Sequence, residues 1–219
     1  VCLMRGDKEE GINLLKNALK LKPDFPNAHY NLGITFREQG HLNNAIASYQ
    51  QALIYKPDFP DAHYNLSIVL QEKGDFTAAI SSYQQALKYK PDFPKAHYNL
   101  GNALREQGDL KAAISSFQQA LKYKPDYSDA NNDLGNALRE QGNFEDAIAA
   151  FRQAIKYKPN YPIAHYNLGN ALREQGNFND AITSYQQALK YKPNFPEALH
   201  NIGFTLREQG NLYTAITAF

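Results

Sequence analysis

Apolar and small residues recur along this chain in paired runs at helical spacing, and each pair is closed by the same polar step. Between residues 94 and 127 the first run holds Ala96, Leu100, Gly101 and Leu104, and the second holds Leu110, Ala113, Ile114, Phe117, Ala120 and Leu121. Steps of three and four residues place each set on one side of a helix, so each run predicts an amphipathic α-helix of roughly 12 to 14 residues. The two together predict an antiparallel hairpin. Pro23, Pro57, Pro91, Pro125, Pro159 and Pro193 stand 34 residues apart without an insertion. Complete copies of the pattern occupy 26–59, 60–93, 94–127, 128–161 and 162–195, with partial copies at 1–25 and 196–219. Such strict periodicity predicts a single stack over residues 1–219, in which each hairpin buries its apolar face mainly against its neighbours.

The breaks between runs have physical causes. Gly40, Gly74, Gly108, Gly142, Gly176 and Gly210 fall where the first helix must stop and the backbone can turn through positive φ. Asp75, Asp109, Asn143 and Asn177 follow as N-caps of the second helix, with Asp146 and Asp180 placed for a capping box. Each second helix closes on Lys-aromatic-Lys before proline, a sequence that suits the helix dipole and forces the pre-proline residue out of α geometry. Pro26, Pro60, Pro94, Pro162 and Pro196 start the next first helix, where a missing N–H costs nothing. Only the two residues between these prolines are left to make the connection. Gly33, Gly101, Gly135, Gly169 and Gly203, with Ser67 as the one substitute, lie inside a helix, where glycine costs about 0.5–1 kcal/mol relative to alanine. A repeated cost of this kind predicts close backbone approach. Ala45, Ala79, Ala113, Ala147 and Ala181, and then Ala52, Ala86, Ala120, Ala154 and Ala188, are expected in the seams. The opening copy carries Lys8 and Gly11 at places held elsewhere by a large apolar residue and an alanine, which predicts looser packing.

These features resemble the tetratricopeptide repeat family over the whole chain. The family's 34-residue length, its Asn-Leu-Gly in the first helix, its small and aromatic residues in the second and its closing proline match Asn99-Leu100-Gly101, Ala113, Phe117, Ala120 and Pro125. The resemblance implies an all-α, right-handed α-α superhelical solenoid, with first helices lining a concave face that binds protein or peptide. One departure is that the family's early aromatic is replaced by His29, His63, His97 and His165, then by Asn131 and Leu199.

Helical geometry and the resemblance together define a candidate groove. Tyr30, Tyr64, Tyr98 and Tyr166 form one row; Asn31, Asn65, Asn99, Asn167 and Asn201 form the next, interrupted by Asp133. Asn102, Asn136 and Asn170 follow, and Arg37, Arg105, Arg139, Arg173 and Arg207 each stand before a glutamate. An asparagine offers both donor and acceptor, so a row of them can hold successive peptide groups of an extended ligand whatever its side chains. Tyrosine adds contact area, and arginine can take carboxylate or phosphate. An asparagine row is similar to the superhelical repeat arm of protein O-GlcNAc transferases, where it engages substrate backbone. The same residues fit a second role, in which asparagine satisfies neighbouring groups and fixes helix spacing. Other domains of the family clamp a terminal carboxylate, but only Lys95 resembles part of that set.

Composition narrows the remaining classes. Lys plus Arg number 23 against 22 Asp plus Glu, so a net charge of +1 gives no overall pull toward nucleic acid. The lysine pairs before each proline are accounted for by helix termination. One cysteine, Cys2, excludes a disulfide framework, and histidines repeated about one helix diameter apart, roughly 10 Å, cannot share a zinc ion. No metal or cofactor is expected, no nucleophilic constellation recurs, and no apolar run spans a bilayer, so membrane insertion is not expected either. The chain starts within a copy, as an excised fragment would, and leaves the compartment open, with the cytoplasm as the default expectation. A non-enzymatic interaction scaffold binding an extended protein segment is the first expectation. Two alternatives are a substrate-recognition arm of a larger enzyme, such as a glycosyltransferase or methyltransferase, and head-to-tail self-association through uncapped ends.

Overall fold

The computed structural model describes residues 8–210. Cys2, the second helix of the closing copy and the end seams proposed for self-association therefore lie outside the described residues. The chain divides into two compact units, Val1–Gln107 and Gly108–Phe219. Among the described residues the first contains α1 (Lys8–Leu21), α2 (Pro26–Glu38), α3 (Leu42–Tyr55), α4 (Pro60–Glu72), α5 (Phe76–Tyr89) and α6 (Pro94–Glu106). The second contains α7 (Leu110–Tyr123), α8 (Ser128–Glu140), α9 (Phe144–Tyr157), α10 (Pro162–Glu174), α11 (Phe178–Tyr191) and α12 (Pro196–Glu208).

In the first unit α2 packs on α3 and α4 on α5 as hairpins, and each hairpin leans on the next through α3 with α4 and α5 with α6. In the second unit α8 with α9 and α10 with α11 repeat the arrangement. First helices end as the glycines require. Gly40 has φ +75°, the Gly40 N–H bonds to the Arg37 carbonyl at 2.9 Å, and the His41 N–H reaches back to Phe36 at 2.9 Å. This crossed pair satisfies two of the carbonyls that a helix end leaves open. The next helix starts at once: Asp75 accepts from the Ala78 N–H at 3.1 Å and Asp109 from Ala112 at 3.0 Å.

Three expectations change. Asn143 caps weakly, accepting from Asp146 N–H at 3.4 Å, and its amide bonds to the Asp146 carboxylate at 2.7 Å, so the two side chains meet each other. Asn177 makes no side-chain cap, because its amide turns to Gln175 Oε1 at 2.7 Å. The link between hairpins is four residues, since each second helix stops at its tyrosine and the following lysine is extended, as Lys56 with φ −142° and ψ 85°. The lysine then lies over the aromatic ring three residues on: Lys90 over Phe93 at 4.6 Å, Lys158 over Tyr161 at 4.1 Å. The third change concerns the helical glycines, which make room for a ring and not for a second backbone. A Cβ on Gly33 would stand 2.6 Å from Tyr49 Cε1, and one on Gly169 would stand 2.5 Å from Tyr185 Cε1. Both tyrosines are fully buried, as are the ten seam alanines from Ala45 to Ala188. In the opening copy α1 forms despite Lys8 and Gly11, with Ile12 buried and Leu15 and Leu19 packed on the first core cluster.

The first-helix face as candidate binding site

The first helices α2, α4, α6, α8 and α10 are aimed by their loops, while α12 carries Leu199 at the corresponding place. His29, His63, His97 and His165 bond through Nε2 to the carbonyls of Pro23, Pro57, Pro91 and Pro159, each at 2.9 Å. Asn131 does the same work less tightly, reaching Pro125 O at 3.4 Å and Tyr127 O at 3.2 Å. The rings of His29, His63 and His165 also stack on the last tyrosine of the second helix, as His29 on Tyr55 with centroids 5.5 Å apart. Desolvation, partly offset by the proline carbonyl, pulls the pKa of His63 and His97 below the usual histidine value. Their imidazoles are latches between loop and helix.

The tyrosine and asparagine rows join into a ladder. Asn65 Nδ2 donates to the Tyr30 hydroxyl at 2.7 Å and Asn99 Nδ2 to Tyr64 at 3.1 Å, each crossing to the preceding hairpin. In the second unit Asn201 donates to Tyr166 at 3.1 Å and to Asn170 Oδ1 at 2.9 Å. Asn132 stands where a tyrosine would be. It accepts from Asn167 at 3.0 Å and donates to Asp133 at 3.0 Å. The tyrosine rings are half buried: Tyr30 lies 4.9 Å from Phe59 and Tyr166 lies 5.0 Å from Phe195, so each is wedged against its own hairpin. Burial raises the pKa of Tyr30 and Tyr64, which stay neutral hydroxyls. Asn65 and Asn167 are each joined to the preceding hairpin through one N–H, while Asn99 also interacts with Tyr83 of the second hairpin. Asn31 is exposed, while Tyr98, Asn102 and Arg105 in the first unit and Asn136 in the second are half buried.

Arg37, Arg139 and Arg173 each pair with the glutamate of the next hairpin. Arg37 holds Glu72 at 2.6 Å and 3.1 Å through two nitrogens, and Arg139 holds Glu174 at 2.8 Å. Arg173 and Glu208 are 3.9 Å apart. Gln71 replaces the arginine in the second hairpin and instead accepts from the Tyr83 hydroxyl at 2.9 Å. The second-helix tyrosines were missed from sequence: Tyr83 and Tyr185 reach the first-helix face, Tyr185 through Asn170 Oδ1 at 2.9 Å. The signal was the choice of tyrosine at 49, 83 and 185 against phenylalanine at 117 and 151.

A family described as TPR repeat matches residues 1–36, 35–74, 135–172 and 169–210, and two further tetratricopeptide repeat families match 64–131 and 116–149. The chain belongs to the tetratricopeptide repeat family. Among solved structures, this tetratricopeptide repeat chain is similar to YrrB, described as a TPR protein with an unusual peptide-binding site. The two share 22% identity at a TM-score of 0.77, covering 85% of this chain and 96% of that one. MamA is 26% identical at 0.72, covering 74% and 95%. PilF of Pseudomonas aeruginosa is 19% identical at 0.72, covering 97% and 90%. No significant match was found among curated proteins. The repeats make an all-α scaffold of the kind that engages other proteins, and no helix among the described residues is long and apolar enough to cross a membrane.

Proposed function

We propose that the first-helix face of each unit receives an extended segment of another protein and holds its main chain through the asparagine row. The observation that carries this reading is the half-used amide. Asn65 and Asn167 each commit one N–H to the neighbouring hairpin and keep a donor and an acceptor in fixed orientation, and Asn99 holds the same place in the row. A fixed donor and acceptor on successive helices match the alternating C=O and N–H of an extended chain, and the order already present reduces what binding must impose. Similarity to a protein described by its peptide-binding site is in keeping with this. The chain acts as a scaffold and not as a catalyst.

The test is a triple variant, Asn65→Ala, Asn99→Ala and Asn167→Ala, against a ten-residue peptide selected on the intact protein from a random library. Each lost bond to a neighbouring hairpin costs about 0.5–1.5 kcal/mol, so the variant melts lower, and binding is compared in the cold where circular dichroism shows both proteins fully helical. Affinity should fall about tenfold or more, and alanine replacement along the peptide should matter less than replacing its amides by esters. Equal affinity of the fully folded variant would sink the proposal.

A further inference from the structure

The hairpin of α2 and α3 differs from the others at one buried atom. The Tyr49 side chain is fully buried and its hydroxyl has no hydrogen-bond partner, whereas the hydroxyls of Tyr83 and Tyr185 are taken by Gln71 and Asn170. The place of Asn170 is held here by Ile34, and that of Gln71 by Arg37, which is committed to Glu72. A buried polar group without a protein partner is rare and calls for a specific explanation. Tyr49 lines an open cavity of about 580 Å³ together with Tyr30, Ile34, Arg37, Glu38, Asn65 and Glu72. The residues that act electrostatically on its hydroxyl are Tyr30, Arg37, Glu72 and Glu38, the polar wall of the same cavity.

The charge of this wall is set by residue type. Glu38 and Glu72 place two carboxylates on this wall beside Arg37, and Gln71 brings no second cation where the second unit has Arg173. Ile34 supplies an apolar side where the corresponding residues of the second unit are Asn136 and Asn170. The Arg37 and Glu72 side chains keep 34% and 39% of their surface exposed, so they can adjust to an entering group. We infer that this cavity is a subsite for a basic side chain, lysine or arginine, of the bound segment, its stem along Ile34 and Tyr30 and its cationic nitrogen shared between the Tyr49 hydroxyl oxygen and Glu72. The inference rests on the peptide-binding reading and names a side chain for it.

Tyr49→Phe tests it, because Phe117 and Phe151 fill the same place in other hairpins and the change removes only an unpartnered hydroxyl. The probes are acetylated ten-residue Gly-Ser peptides with one central lysine, norleucine or glutamate, titrated to millimolar concentration against the isotope-labelled protein. The lysine peptide should bind tightest and the glutamate peptide weakest, with shifts centred on the Arg37 and Asn65 side-chain signals. Tyr49→Phe should weaken the lysine peptide about tenfold while its melting temperature stays level or rises. Equal binding of the three peptides, no binding, or unchanged lysine affinity in Tyr49→Phe would overturn the subsite. The asparagine variant is judged on a separately selected peptide, so either reading can fail alone.

Discussion

At the scale of single residues, the chain reuses one side chain for one mechanical task and shows what happens when the residue changes. The histidine latch is the clearest case. His63 and His97 have pKa values below the ordinary 6.5, chiefly through desolvation, so the unfolded chain takes up protons more readily than the folded one. The sign follows: their contribution is complete above about pH 6.5 and declines as pH falls below it. Melting temperature should therefore drop between about pH 7.5 and 5, and the double variant His63→Asn and His97→Asn should flatten that drop while lowering the melting temperature at neutral pH. A drop of equal size in the double variant would show that other groups cause it. Asn131 supports the design, since it keeps the bond to the loop without a titrating ring. Sequence showed that these histidines repeat and are too far apart to share a metal; it did not show the carbonyl partner, because a bond to a loop six residues upstream depends on how that loop turns.

At the scale of elements, helix type and length followed directly from the apolar spacing, while the ends depended on competition among polar groups. Asn143 and Asn177 have nearly the same neighbours, Gly-Asn-Phe-Glu-Asp and Gly-Asn-Phe-Asn-Asp, yet one caps and the other bonds to Gln175. Rival partners within reach of a short amide differ by little energy, so the sequence does not decide between them. Asp75→Ala and Asp109→Ala should each lose about 1 kcal/mol in denaturant unfolding, and Asn177→Ala should lose close to nothing. Equal losses at all three would mean that the observed caps are not what hold these helix ends. The loop lysines teach the same lesson from the other side. Helix dipole and proline explained their presence, but their position over the aromatic ring three residues on needs the extended pre-proline backbone. The candidate face was legible as rows of residues. Its wiring was not, because the bonds from asparagine to tyrosine and from arginine to glutamate run 35 residues along the chain, one more than the repeat.

For the molecule as a whole, the 34-residue period declared the architecture, yet nothing in it marks Gly108 as the start of a second compact unit, since it is one of six glycines in the same setting. Near-identical repeats carry no composition shift where one unit ends. They do carry a prediction about stability, because in a repeat array each hairpin is held by its own interior and by nearest neighbours. α4 has α3 on one side and α5 on the other, with α2 and α6 alongside, whereas among the described residues α1 packs chiefly on α2. Two of its leucines are exposed, Leu14 by 62% and Leu21 by 90%, so little apolar area ties α1 down. Local opening free energies run from about zero for frayed elements to the full unfolding value for well-flanked ones. Amide exchange should accordingly be fastest in 8–21 and slowest in α4 and α5 of the first unit and α9 and α10 of the second. Protection in 8–21 equal to that of α4 would contradict nearest-neighbour control, and would require α1 to be held by contacts other than α2.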